Sequence, residues 1–375
     1  MDYKELGVGI GAEGIKKWRD SGKKALGIIC CHVPFEILHA AGIFPVRLRA
    51  TGCTDYSRGE DQMGEQSCGF TKAILQRLMD GEYDLDGVVA SNGCTIASMV
   101  YSNWSTWSKK QGKEQFLLMI DPPRMCNESS EKFFAMDLED LVSAAGEFAG
   151  VEITNDMLKA SVDKYNEARR LVKQIYDLHK ADNPVVTGEE TLRLTLAATE
   201  MPIEEYIELL KGFLKDAEGR TPDREWTVRV MVAGSALDDP EYVKAIEDAG
   251  CLVVADMNSF GLRFLRDEIE YDEADVLHSL AKYYLNRSSC PRMIDGSDDL
   301  HDYVLRAVEE YRVDGVILEK LSFCDKWKSE VALLADVLTN AGRPSRQLER
   351  DEQMMAMGQF GIRIEAFREM LEEQK

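Results

Sequence analysis

Short apolar runs alternate with helix-spaced stretches over the first third of the chain. Residues 25–29 read as a buried strand, 35–41 as a helix stopped by Gly42, and 44–48 as the next strand. A helix over 71–79 leads to a strand ending before Cys94, and Phe116-Leu117-Leu118-Met119-Ile120 closes the series at Asp121-Pro122-Pro123. Such alternation predicts a parallel sheet with covering helices, because parallel strands need a crossover between them. From 131 the strand signal vanishes. Stretches 138–150, 156–181 and 203–214 carry helical spacing, with Thr154 and Thr187 as caps. Strands return at 227–233 and 252–255, separated by a helix over 241–249, and a last strand falls at 345–348.

The second series echoes the first. Leu85-Asp86-Gly87-Val88-Val89-Ala90-Ser91-Asn92-Gly93-Cys94 is matched by Val313-Asp314-Gly315-Val316-Ile317 running on to Phe323-Cys324. Each is a strand entered through Asp-Gly and left through a polar loop that ends in a thiol. His39-Ala40-Ala41-Gly42 before Ile43-Phe44-Pro45-Val46 is matched by Glu247-Asp248-Ala249-Gly250 before Cys251-Leu252-Val253-Val254. The expected fold is therefore α/β: an N-terminal α/β domain (1–130), a helical segment (131–225) and a C-terminal α/β domain (226–375), with a cleft between the related halves.

Charge narrows the function. Lys and Arg number 45 against 67 Asp and Glu, a net charge of −22. A phosphate-tracking surface would need clustered cations, so no nucleic-acid partner is expected, nor an anionic membrane. No apolar run approaches a membrane span. The opening Met1-Asp2-Tyr3-Lys4-Glu5 lacks the basic and apolar regions of a signal peptide, so the expected location is cytoplasmic. Nine cysteines in such a chain argue against a disulfide scaffold and leave burial, catalysis or metal ligation.

Cys94 and Cys324 follow strands at the sheet edge where open α/β folds bind ligands. Cys68, in Gln66-Ser67-Cys68-Gly69-Phe70-Thr71, opens a helix, and the other two also precede helices. Helix starts favour thiolate over thiol. Three thiolates meeting in a cleft suit an iron–sulfur cluster, and three ligands leave one iron open to substrate; buried structural thiols are the alternative. Cys30 and Cys31 end a strand, where the pleat turns neighbouring side chains apart, so only one is expected to face the cleft. Cys290, in Cys290-Pro291-Arg292-Met293, lies in a loop of the second half. Cys30 and Cys290 are second-tier ligands. Cys53, Cys126 and Cys251 have no special context, and Cys251 reads as core.

Two other patterns weigh less. Gly9-x-Gly11-x-x-Gly14 has the letters of a dinucleotide fingerprint, but residues 1–8 offer no strand to lead into it, and a flexible lead-in is expected. His32, Glu36 and His39 have helical spacing for a zinc triad, but Pro34 suits a first helical turn and leaves His32 outside the helix. A hydrogen-bonded helix start is the expected role.

Taken in order, the 30–48 stretch beginning Cys30-Cys31-His32-Val33-Pro34-Phe35-Glu36, then Ser91-Asn92-Gly93-Cys94, Cys290-Pro291-Arg292-Met293, Asp314-Gly315-Val316-Ile317, Phe323-Cys324-Asp325 and Gly358-Gln359-Phe360-Gly361-Ile362-Arg363 resemble the 2-hydroxyacyl-CoA dehydratase / benzoyl-CoA reductase family. The motifs span almost the whole chain. The resemblance implies two flavodoxin/Rossmann-like parallel-sheet domains holding a [4Fe-4S] cluster through Cys68, Cys94 and Cys324. It also implies an anaerobic host, a paralogous second subunit and an ATP-dependent iron–sulfur activator that supplies one electron. In the dehydratases that electron turns the thioester carbonyl of an (R)-2-hydroxyacyl-CoA into a ketyl radical, which expels hydroxide on the way to the enoyl-CoA. Rival readings are an ATP-driven reductase component, either benzoyl-CoA reductase-like or with a double-cubane cluster, a non-catalytic electron relay, and a zinc-binding structural protein. Thr95-Ile96-Ala97-Ser98 departs from the acidic-then-basic residues that follow Cys94 in many relatives, and 80–86 lacks the thiol of the double-cubane branch. No general base is assigned to Glu36, His39 or Arg363.

Overall fold

The computed structural model describes residues 3–222, 224–287, 290–354 and 357–375, with the side chain of Met357 left aside. The first half contains α1 (Ala12–Asp20), β1 (Ala25–Ile29), α2 (Phe35–Ala40), β2 (Phe44–Arg47), α3 (Ser57–Met63), α4 (Gly69–Asp80), β3 (Gly87–Ser91), α5 (Thr95–Lys110) and β4 (Phe116–Ile120). Four helices follow: α6 (Glu128–Ala149), α7 (Asn155–Leu178), α8 (Gly188–Ala197) and α9 (Ile203–Ala217). The second half contains β5 (Val228–Gly234), α10 (Pro240–Asp248), β6 (Cys251–Met257), α11 (Leu262–Leu265), α12 (Val276–Asn286), α13 (Ser297–Glu310), β7 (Gly315–Leu321), α14 (Asp325–Asn340), β8 (Ser345–Arg350) and α15 (Met357–Glu373).

Each half builds one four-stranded, all-parallel sheet. The orders are β2-β1-β3-β4 and β6-β5-β7-β8, the same permutation twice. Helices on both faces explain why β1, β2 and β3 are buried at every position and carry continuous apolar runs. The edge strand β8 buries only Leu348 and Arg350, which suits its polar sequence.

The repeated Asp-Gly has one physical meaning in both halves. Asp86 accepts a hydrogen bond from the Ala25 backbone N–H (2.9 Å), and Asp314 does the same from Arg229 (2.7 Å). Each aspartate's own N–H donates back to the carbonyl of that same residue. The side chain thus sets the register of the central strand pair. A Cβ on Gly87 would lie 2.0 Å from the Phe116 carbonyl oxygen, and one on Gly315 would lie 2.7 Å from the Phe367 ring. Backbone leaves room only for glycine at 87, while at 315 the Phe367 and Leu371 side chains would have to give way.

The middle helices join the halves into one core. Ile28 of β1, Phe134 and Leu138 of α6, Val162 and Val172 of α7, and Met231 of β5 belong to the same buried cluster. Thr154 accepts from the Met157 N–H, and Thr187 forms a reciprocal capping box with Glu190, so both caps act as expected. No helix among the described residues is long and apolar enough to cross a membrane.

The amino-terminal segment is not a flexible lead-in. Tyr3–Glu5 forms a 3₁₀ turn and α1 follows, with Gly11 at φ 70° before it. A Cβ there would sit 2.3 Å from Glu200 Cβ, so this glycine permits close packing beyond the end of α8. Among residues 3–8 there is no strand to present a phosphate loop.

Replacing Gly87 by Ala is expected to cost about 1–3 kcal/mol of stability through backbone overpacking. Gly9→Ala, which meets nothing within 4 Å, should stay within about 0.5 kcal/mol of the parent. Denaturant midpoints of the two variants check this.

Candidate functional site

The two carboxyl edges are locked together by buried polar contacts. Asp238, after β5, accepts from the Ala50 N–H (2.6 Å) and the Thr51 N–H (3.1 Å), which follow β2. Arg47 donates to the Ser259 carbonyl after β6, with its guanidinium 3.8 Å from the Phe260 ring centre. Arg287 donates to the Cys31 carbonyl. Arg292, 4 % exposed, donates to the carbonyls of Gly93 (3.1 Å), Pro122 (2.6 Å) and Pro123 (2.9 Å). It holds the loops after β3 and β4 against the Cys290 loop. The sequence displayed this arginine inside a motif but carried no sign of what it grips.

Cys68, Cys94 and Cys324 are the residues immediately before α4, α5 and α14, each with extended backbone. The Cys94 sulfur accepts from the Ala97 N–H (3.4 Å), and the Cys68 sulfur lies 3.3 Å from the Thr71 hydroxyl. The three thiols also feel one another: ionising Cys68 or Cys94 opposes ionisation of Cys324, and Cys94 acts likewise on Cys68. Distant stretches of chain therefore share one electrostatic neighbourhood.

The expected thiolate character does not follow. Burial pushes Cys68 up to about 11 and Cys324 up to about 12, and it raises Cys94 as well. The helix-start N–H groups pull downward, but desolvation outweighs them. Without added positive charge these thiols stay protonated at neutral pH.

Cys30 and Cys31 also depart from expectation. The strand ends at Ile29, and Cys30 takes the left-handed φ of 81°, so the pleat that would separate the two side chains is broken. The Cys30 sulfur lies 3.4 Å from His32 Nδ1, and ligand atoms of Cys30, Cys31 and His32 all fall within 4.8 Å of one another. The pair ionises unequally: the hydrogen bond between them keeps Cys30 protonated and draws Cys31 toward thiolate. Since β1 neighbours β3, Cys30 also abuts the Cys94 loop, where a Cβ on Gly93 would lie 2.7 Å from the Cys30 sulfur. The charge of Cys290 acts on both Cys30 and Cys94. Cys251 is fully buried at the start of β6, as expected of a core residue, while Cys126 donates to the Leu285 carbonyl.

The zinc triad does not assemble. Glu36 is buried between the Arg169 guanidinium (2.6 Å) and the Tyr284 hydroxyl (2.8 Å). His39 bonds Ser161 (2.8 Å) and Glu204 (3.2 Å), and His32 precedes the helix, as the position of Pro34 predicts. Arg363 is exposed on α15.

Acid groups lie on the Cys68 and Cys324 side. Glu319 receives the Arg350 guanidinium (2.7 Å), and Glu352 also pairs with Arg350 (3.3 Å). Glu352 packs on Gly69, next to Cys68, so closely that a Cβ on that glycine would meet Glu352 Cβ at 2.6 Å. Burial raises Glu352 to about 8.

With this geometry in view, comparison with known proteins decides the lineage. The sequence pattern described as 2-hydroxyglutaryl-CoA dehydratase, D-component, matches residues 30–371. The chain belongs to that family. It is 26 % identical over 330 residues to a benzoyl-CoA reductase subunit of Thauera aromatica, covering 86 % of this chain and 84 % of that one. It is 23 % identical to the (R)-phenyllactyl-CoA dehydratase beta subunit of Clostridium sporogenes, covering 95 % and 94 %. Identity is also 23 % to the beta subunit of (R)-2-hydroxyglutaryl-CoA dehydratase of Acidaminococcus fermentans, covering 95 % of each.

The raised Glu352 gives a signed pH dependence. The native carboxyl keeps its proton up to about 8 while the unfolded one releases it near 4.5, so the native state binds more protons in between. Stability of the metal-free chain is expected to fall as pH rises across that window and then level off. Glu352→Gln should flatten this slope in pH-resolved urea titrations.

Proposed function

We propose that this chain is the beta-type iron–sulfur subunit of a radical hydro-lyase that dehydrates an (R)-2-hydroxyacyl-CoA to the enoyl-CoA. The reading is supported by the family match over residues 30–371, which takes in Cys68, Cys94 and Cys324, each the residue immediately before a helix. Several of the relatives are dehydratase beta subunits, at 22–23 % identity over 94–95 % of the chain, while the reductase subunit reaches 26 % over 86 %, so the reductase component stays as the rival reading.

The donor set fits a [4Fe-4S] cluster. Three sulfurs, soft ligands, stand at helix starts in an apolar setting that keeps them neutral until a cation binds. When bound, such a cluster supplies low-potential one-electron transfer and an iron able to contact a substrate oxygen. The chain's own share is positioning. Cys68, Cys94 and Cys324 hold the group, Arg292 fixes the loop that carries Cys94, and Gly93 lets that loop approach β1. Glu352 stores a proton beside Cys68 at neutral pH. The relatives are named as subunits, which supports a paralogous partner; electron delivery falls to an ATP-dependent activator.

Anaerobic reconstitution tests the ligand set. The parent should hold about four irons and four acid-labile sulfides per chain. Serine at position 68, 94 or 324 should each lower that content sharply, whereas Cys251→Ser should retain it. Full iron in all three serine variants would end the reading, and about eight irons would favour the double-cubane reductase. Supplied with its partner and activator, the parent should form enoyl-CoA from a 2-hydroxyacyl-CoA. Binding of acyl-CoA by the isolated chain separates a substrate-binding role from an electron relay.

A further inference from the structure

Four buried arginines surround a group of thiols to which the proposed cluster gives no task. Arg47, Arg263, Arg287 and Arg292 are each at most 7 % exposed, and none has a carboxylate within 4 Å in any ion pair found among the described residues. Their donors go mostly to backbone carbonyls, while Arg263 Nε and Nη1 and Arg287 Nε have no hydrogen-bond partner. The anion that faces them is Cys31, drawn toward thiolate, with Asp256 also acting on Arg263. The charges of Cys30 and Cys31 act on Arg47, and those of Cys31 on Arg287.

Against that cationic wall stand Cys30, Cys31 and His32. Their ligand atoms lie within 4.8 Å of one another, and the 3.4 Å between Cys30 Sγ and His32 Nδ1 is close to the ~3.6 Å that two such ligands span across a tetrahedral zinc. His32 is fully buried, has no partner at Nε2, and meets sulfur on its other side, with Cys30 Sγ 3.4 Å from Nδ1. Neither a protein oxygen nor another nitrogen holds its ring. The left-handed Cys30, a conformation costing a non-glycine residue about 1 kcal/mol or more, is what turns both sulfurs to one side. Cys290 is not among the ligand atoms that lie together, so the fourth position of an ion held there falls to water.

We propose that Cys30, Cys31 and His32, completed by a water, form a second metal site for one soft divalent cation of the zinc class, separate from the group held by Cys68, Cys94 and Cys324. Two thiolates and one imidazole leave a fourth tetrahedral position for water. Because Cys31 is already drawn toward thiolate, binding releases chiefly the Cys30 proton and leaves the complex without net charge. The ion would brace the loop after β1, which Arg287 of the other half already holds at the Cys31 carbonyl, without contacting substrate.

Cobalt(II) is the probe. Added without oxygen to the metal-free full chain, it should give a thiolate-to-cobalt charge-transfer band and tetrahedral visible bands at one ion per chain, both abolished by excess zinc. Cys31→Ser and His32→Gln should lose these bands while keeping the parent's iron content after reconstitution, and Cys68→Ser should do the reverse. Zinc alone should also protect Cys30 and Cys31 of the parent from alkylation, a readout that needs no variant. Absence of the bands and of protection in the parent overturns the site. So does loss of iron in the position 31 and 32 variants, which would make these residues ligands of one larger cluster. Because zinc-class and iron contents are read separately, either assignment can fail alone.

Discussion

The carboxylate of Asp238, sealed from water and holding two backbone N–H groups of the other half, is the constraint on which the site depends. Parallel strands bring every carboxyl end of a sheet to one edge, but nothing within a single sheet fixes two such edges against each other. Asp238, Arg47 and Arg287 do so by pairing side chains of one half with backbone groups of the other. A buried backbone group that lost such a partner would carry its full desolvation cost. The lock therefore acts through the penalty for opening it, and the loops bearing Cys30, Cys94 and Cys324 inherit its rigidity.

Charge is distributed unevenly across this edge. Glu319 and Glu352 act on Cys324 and Cys68, whereas arginines stand over Cys30 and Cys31. The first side keeps thiols neutral and the second draws a thiol toward its anion. Burial works with the first tendency and against the second, where the hydrogen bond from Cys30 outweighs the desolvation of Cys31. One sheet edge thus offers two different environments for sulfur.

This partition bears on the proposed role. A thiol that ionises only when a cation arrives makes metal uptake and deprotonation one event. The histidine and the carboxylate of α2 are engaged elsewhere. Glu36 is spent on Arg169 and Tyr284, and His39 on Ser161 and Glu204.

Apolar periodicity determined the strands: β1, buried at every position, and β4, half-buried at the sheet edge, both lie where the pattern put them. The repeated Asp-Gly determined the duplication, since a side chain that clamps the neighbouring strand and a glycine that admits it are local requirements readable in the sequence. The same local pattern located thiols at strand ends and helix starts. Their ionisation was a tertiary matter: helix geometry argued for thiolate, and burial by residues far away reversed the sign. The turn at Cys30 was equally hidden, because a left-handed non-glycine residue has no periodic signature and persists only when surrounding packing enforces it. Arg292 shows the same division: its sequence neighbours name the motif, but only the assembled halves bring it three carbonyls to hold.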